Sequence, residues 1–311
     1  MGARTRPSQG QITVERICEL AGVSRAGYYR QLAQKAPQEE ELATRAAIQE
    51  IFLQHRRRYG RRRITAELRR RGRVVNHKRV GRLMRQDNLL ALQQRPYLST
   101  TRSRHELEVY LNVAANLQLS GINQLWVADI TYIRLRAEFV YLAIVLDRYS
   151  RCAVAWSVGR SLTAKLTVAA LQQAIEKRQP PPGLVHHSDR GVQYAAEEYV
   201  ALLQAHGLIP SMSRPSNPYD NAACERFMKT LQEEVACSQY RDLEDLRGHM
   251  EQFIEQYYNR QRLHSALGYR TPEEFERSLL SGPTIPLAAA RLSFSRHAEI
   301  YRSDRGTNHV K

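Results

Sequence analysis

The sequence predicts an α/β protein, a mixed five-stranded sheet with helices on both faces, preceded by an all-α basic region. Three observations carry this. Residues 121–159 hold three β-rich runs joined by short turns, LWVADITYIRL, EFVYLAIVLDRYS and CAVAWSVGR. Helical and strand patterns then alternate from residue 163 onward. The first third of the 311 residues shows only helical periodicity, and it holds almost all of the +16 formal charge.

In order along the chain, residues 1–33 are expected to form a helix-turn-helix. ITVERICELA places Val14, Ile17 and Leu20–Ala21 at helical spacing, Gly22-Val23 makes the turn, and Ser24 caps a second helix, RAGYYRQL. The second helix of such a unit enters the major groove, which would set Arg25 and Arg30 against DNA. An ordinary helical hairpin fits the same pattern.

Residues 34–92 are expected to be a second basic helical domain. A helix is expected over 35–55, with Pro37 close to its start and Leu42, Ala46, Ile48 and Ile51–Phe52 on its apolar side. Ile64 and Leu68 open the next helix, Gly72 breaks it, and Asn76 caps another whose Val80 and Leu83–Met84 face inward. Arg61, Arg62, Lys78, Arg79, Arg82 and Arg85 surround this pair as candidate phosphate contacts, which position a protein on DNA without reading its sequence. Residues 93–120 are polar and aperiodic and read as a linker.

The catalytic unit is expected over 121–240. After the three-stranded meander, Leu166, Ala169–Ala170, Ala174 and Ile175 mark a helix over 163–178, ended by Pro180–Gly183. LVHHSD is a fourth strand, 195–206 a helix, LIPSMS a fifth strand, and a long helix starts near Asp220. Three antiparallel strands followed by alternating helix and strand give the strand order of the ribonuclease-H-like fold. Residues 241–280 continue as helices: 242–258 as one, and a short last helix opened by Thr271-Pro272-Glu273-Glu274, an N-cap, a proline at N1 and a first-turn acid pair. The tail, 281–311, has no assigned role.

Residues 1–120 hold 24 Lys/Arg against 10 Asp/Glu, while 121–311 hold 23 against 21. The arginines come in blocks (56–58, 61–63, 69–71), which favours a nucleic-acid surface over a merely solvated one. The four cysteines form no CxxC pair and have no histidine at finger spacing, so neither a zinc module nor a disulfide framework is expected. No apolar stretch reaches 18 residues, so no membrane span is expected, and a reducing cytoplasmic, nucleoid-associated location follows by default.

The chemistry is expected from three carboxylates. Asp129 follows the apolar run 125–128, Asp189 lies at the C-terminal end of the fourth strand, and Glu225 sits on an amphipathic helix. Acids so placed can converge on two divalent cations, roughly 3.5–4 Å apart, that clamp the attacking and leaving oxygens of a phosphoryl displacement. An exposed strand-end aspartate is the plainer reading of Asp129 alone. His186 and His187 could ligate metal, or one could pack while the other hydrogen-bonds. On the last long helix Ala223, Phe227 and Leu231 form one apolar stripe, and Glu225, Lys229 and Gln232 lie opposite. Lys229 then either holds a DNA phosphate or pairs with Glu225 one turn away.

LWVADITYI, HHSDRGVQY, SMSRPSNPYDNAACERFMKTL and YYNRQRLHSALGYRTPEEF resemble the catalytic subunit of bacterial transposases of the "insertion sequence three" family, which carry a retroviral-integrase-like core. The 35 residues between Asp189 and Glu225 match that family's spacing, and RRRYGRRRITAELRRRG with NHKRVGRLMR resembles its helical DNA-binding region. The resemblance covers residues 12–275. It implies that Asp129, Asp189 and Glu225 bind two Mg²⁺ ions, replaceable by Mn²⁺. It also implies that the reaction is donor-end cleavage followed by attack of the freed 3′-OH on a second phosphodiester. Tyr219, Asp220 and Asn221 match the approach to the catalytic helix. Double-stranded DNA is the implied partner, both terminal inverted repeats and target, bound by a homo-oligomer. An upstream reading frame would supply a leucine zipper, which makes this chain the downstream product. Two departures stand out. Gln232 occupies a position where the family commonly has lysine, leaving Lys229 as the alternative phosphate contact, and the His/Cys zinc module of retroviral integrases is absent. The competing readings are a ribonuclease-H-like nuclease that stops at hydrolysis and a DNA-binding regulator with an inactive core.

Overall fold

The computed structural model describes residues 13–32, 39–89, 91, 110–136, 138–213, 222–235 and 240–281. The chain divides into two compact units, residues 1–92 and 93–311.

In the first unit α1 (Val14–Ala21) and α2 (Arg25–Leu32) form the expected pair. Thr13 caps α1, and Gly22 ends it in the left-handed conformation (φ +62°) that a side chain would strain. Ser24 Oγ accepts from Gly27 N–H at 3.0 Å and so caps α2 as read from the sequence. Leu20, expected on the apolar side, is exposed, and Cys18 is the buried residue of α1.

Helix α3 (Glu39–Gln54) buries Thr44, Ile48, Ile51 and Phe52. This corrects the expected stripe: Leu42 and Ala46 are exposed, because they lie off the arc defined by 44, 48 and 51. Helices α4 (Arg61–Arg70) and α5 (His77–Gln86) bury Ile64, Leu68, Val80, Leu83 and Met84. Gly72 (φ +79°) turns the chain between them, and Asn76 caps α5 through Lys78 N–H at 2.8 Å. Two arginines stitch this unit internally. Arg71 reaches Glu50 at 2.9 Å and Glu67 at 3.4 Å, and Arg45 reaches Glu41 at 3.1 Å and Asp87.

The second unit is built on a five-stranded sheet of order β3-β2-β1-β4-β5. β1 (Leu125–Arg134), β2 (Phe139–Asp147) and β3 (Ala153–Gly159) form the antiparallel meander; β4 (Val185–Ser188) and β5 (Ile209–Met212) add in parallel to β1. Because side chains alternate across a strand, β1 feeds two cores. Leu125, Val127 and Ile133 pack with α8 (Ala222–Val235) and α9 (Leu243–Glu251). Trp126 and Ala128 pack with α6 (Ala164–Arg178) and α7 (Glu197–Ala205) on the other face.

Three features differ from expectation. The helix read over 242–258 is not uniform: α9 ends at Glu251 and continues as a π-helical turn, Gln252–Tyr258, which buries Phe253, Ile254, Tyr257 and Tyr258. Residues 110–120 are not free linker. Ala114, Leu117 and Leu119 pack on the sheet core, and Ala114 N–H donates to Ser211 Oγ at 3.3 Å. The apolar face of α8 is wider than three residues, with Cys224 and Met228 buried beside Ala223, Phe227 and Leu231. Helix α10 (Pro272–Leu280) starts with a complete Thr271/Glu274 capping box. Pro37, Tyr219, Asp220, Asn221, most of 93–120 and the tail 282–311 lie outside the described residues.

Candidate active site

Asp129 lies in β1 opposite Ile144 of β2, at the same parity as Leu125 and Val127. It therefore emerges on the face of the sheet that α8 covers. The side chain is half-buried, and its Oδ1 accepts from Ile130 N–H at 2.8 Å. Asp189 stands one residue past β4 and closes a tight turn, with Oδ1 accepting from Gly191 N–H at 2.9 Å. A Cβ at Gly191 would meet that same Oδ1 and Gln193 Oε1 at 3.0 Å, so a side chain there would press on the Asp189 carboxylate unless it moved by a few tenths of an ångström. Glu225 is half-buried in the first turn of α8.

The three charges act on one another. Burial, then repulsion from Asp189 and more weakly from Glu225, pushes the Asp129 carboxyl up to about 7. Carboxylate oxygens are the donor type that Mg²⁺ takes, and a divalent cation between them would relieve this repulsion. Among the described residues, no three such side chains are yet gathered closely enough to hold an ion. Glu225 Oε1 is engaged by Lys229 Nζ at 2.8 Å. Of the two readings of Lys229, the structure displays the i,i+4 pair. Gln232 is half-buried on the same face.

Neither histidine is disposed as a metal ligand. His187 has both ring nitrogens hydrogen-bonded, Nδ1 to Ser211 Oγ and Nε2 to Ser213 Oγ, each at 2.9 Å. His186 Nε2 meets Tyr199 Oη at 3.1 Å, and burial, then its neighbour His187, lowers it to about 3, so the ring is neutral. The sequence reading passed over Tyr194, which is buried within the field of Asp189 and Asp129, and its hydroxyl has no partner among the described residues. The only sequence signal for it was its place in HHSDRGVQY.

In the first unit, Arg61, Arg62, Lys78, Arg82 and Arg85 are exposed, as phosphate contacts must be. Arg79 is drawn to Glu41 at 3.6 Å and Arg25 to Glu15 at 2.6 Å. Arg30 lies in α2, and its side chain is outside the described residues.

Comparison with known proteins places both units. Residues 120–218 and 206–272 match family models described as "Integrase core domain", and residues 37–97 match an "HTH-like domain". The chain is 34% identical over 279 residues to the transposase InsF for insertion sequence IS3A of Escherichia coli (strain K12), covering 88% of this chain and 97% of the relative. It is 37% identical to the transposase for insertion sequence element IS904 of Lactococcus lactis subsp. lactis (strain IL1403), covering 74% and 92%. It is 38% identical to an uncharacterized 31 kDa protein of insertion element IS600 from Shigella sonnei, covering 83% and 97%. Among solved structures, the catalytic core domain of BIV integrase aligns over 51% of this chain and 96% of its own, with a TM-score of 0.39 and 18% identity.

Proposed function

This chain belongs to the IS3 family of insertion-sequence transposases, polynucleotidyl transferases with an integrase core, and from that premise we propose that Asp129, Asp189 and Glu225 are its catalytic carboxylates. They would hold two Mg²⁺ ions, replaceable by Mn²⁺. The observation that carries this reading is the raised Asp129 carboxyl, which feels Asp189 and Glu225 together and lacks a compensating cation of its own. Bound there, the ions would polarise the scissile phosphate and lower the pKa of the attacking hydroxyl.

The chain's own residues set the geometry. β1 fixes Asp129 in the middle of the sheet, the Gly191 turn fixes Asp189, and α8 brings Glu225 to the same face. Lys229 would hold Glu225 until metal arrives and then turn to the DNA backbone beside Gln232. The substrates we infer are the element's terminal inverted repeats and a target duplex. The chain cuts the donor end and joins the freed 3′-OH to target, acting as a homo-oligomer with an upstream-frame partner that carries a leucine zipper. Arg25, Arg30, Arg61, Arg62, Lys78, Arg79, Arg82 and Arg85 are the proposed phosphate contacts of the helical unit. Among the described residues no helix is long and apolar enough to cross a membrane. The place of action that the transposase reading implies is the nucleoid.

The test is strand transfer of a labelled 3′-OH end. Asp129→Asn, Asp189→Asn and Glu225→Gln should each abolish cleavage and joining in Mg²⁺ while end binding persists, and Ca²⁺ should support binding alone. Near-normal joining by any one variant removes that residue from the triad. Cleavage without joining by the wild type would favour the nuclease.

A further inference from the structure

The turn between β2 and β3 carries two arginines that the three acids do not use. Arg148 and Arg151 are both half-buried, and neither guanidinium has a hydrogen-bond or ion-pair partner among the described residues. Arg226, the residue after Glu225 on α8, is exposed and equally without one.

The nearby acids are already committed. Asp147 accepts Asn123 N–H at 2.7 Å on one oxygen and the N–H groups of Tyr149 and Ser150, each at 2.9 Å, on the other. Glu276 takes Ser150 Oγ at 2.6 Å and Arg178 at 2.8 Å. The backbone holds the turn firmly: Arg148 N–H donates to Leu125 O, and Arg151 N–H to Asp147 O, each at 2.9 Å. Arg151 also sits at φ +63°, a left-handed conformation that glycine adopts without strain and a long side chain does not. Arg151 is thus half-buried in a left-handed turn, and the acid that acts on it, Asp147, already has both oxygens taken by backbone N–H groups.

Cys224 and Phe227, which flank Arg226 on α8, pack in the same core as Leu146 and Ala153 at the two ends of the β2–β3 turn, and the three charges act on one another. Burial and then Arg148 lower Arg151 to about 10, with a smaller contribution from Arg226. Burial lowers Arg148 as well, and Arg226 adds to that.

We propose that Arg148, Arg151 and Arg226 form a phosphate-binding site for a DNA backbone, running from the β2–β3 turn to the α8 turn that carries Glu225. Guanidinium forks match phosphate oxygens two at a time, and partial burial reduces the screening of each contact. Three such forks on two elements suit successive phosphates of one strand better than a single small anion. The site rests on the transposase reading, since it would steer the strand toward Glu225.

The test measures duplex affinity of the full chain against salt. Log affinity falls with log salt by about 0.9 per phosphate neutralised. The triple variant Arg148→Gln/Arg151→Gln/Arg226→Gln should flatten the slope by about two to three, and Arg151→Gly alone by about one. Arg151→Gly should hold or raise Tm, because it relieves the backbone, and Arg151→Lys should keep part of the slope. A triple variant with the wild-type slope overturns the site, and so does an Arg151→Gly protein that loses Tm but keeps its slope. Wild-type chain that binds no duplex would remove the transposase reading and this site with it. Binding by wild type with unchanged variants removes the site alone.

Discussion

Asp129 is a carboxylate whose proton the fold holds more tightly than water does. Its folded pKa, about 7, lies above the ordinary 3.8, so the native state binds its proton more tightly than the unfolded state does. Stability from this group is present at low pH and is lost as pH rises from about 4 through 7. Metal-free Asp129→Asn should therefore melt higher than wild type at pH 8 and no higher at pH 4, because the amide removes the charge and can keep the Ile130 contact. Mg²⁺ should raise the wild-type Tm at pH 8 and leave the variant nearly unmoved. Thermal melts at the two pH values check this, and a variant gap independent of pH would contradict it. At this scale Asp129 departs from its expected strand-end place, because the β1–β2 ladder continues five residues further, to Arg134 opposite Phe139, while Asp189 just past β4 and Glu225 on α8 lie on the elements expected of them. Other residues were not legible in the sequence. The Lys229–Glu225 pair was one of two readings the pattern allowed, and a rotamer decides between them. Tyr194 and Leu42 show the same limit, since burial depends on which neighbour arrives.

Elements were read more completely than their joints. All five strands and the helices that flank them follow from periodicity, and so does the Thr271 cap, a local four-residue signal. The π-turn at Gln252–Tyr258 was hidden, because a one-residue widening leaves the hydrophobic pattern helical. Just after that turn, Asn259 makes a contact no local pattern announces. Its Oδ1 accepts from Ala153 N–H and its Nδ2 donates to Ala153 O, each at 3.0 Å. A side-chain amide thus takes the place of a neighbouring strand at the outer side of β3, the last strand of the sheet. Asn259→Ala would leave both buried Ala153 groups unpaired, at about 1–3 kcal/mol each. Urea unfolding should show a loss of about 2–6 kcal/mol for the two groups together, and a loss below about 0.5 kcal/mol would mean water replaces the amide without penalty.

For the molecule as a whole, charge and chemistry divide between the two units. The chain divides at residues 92/93, and Ala114, Leu117 and Leu119 pack against the sheet core of the second unit. Residues 1–92 still carry +13 of the +16. A fragment spanning 1–92 should bind duplex DNA more tightly, and with a steeper salt slope, than one spanning 93–311. Equal affinities at matched salt would contradict this division. The same partition bears on synthesis. Contacts in the first unit are short in sequence, whereas Ser150 waits for Glu276, 126 residues further on. At about 5–20 residues per second, roughly ten to forty seconds separate the emergence of residue 92 from that of residue 276. A chain still on the ribosome thus has its helical unit folded while its sheet lacks the last helix that locks it. A message broken in the earlier part of that interval, before residue 225 is translated, would yield a polypeptide that keeps the arginine-rich helical unit and lacks Glu225, and on the proposed function it would compete for DNA without cutting it.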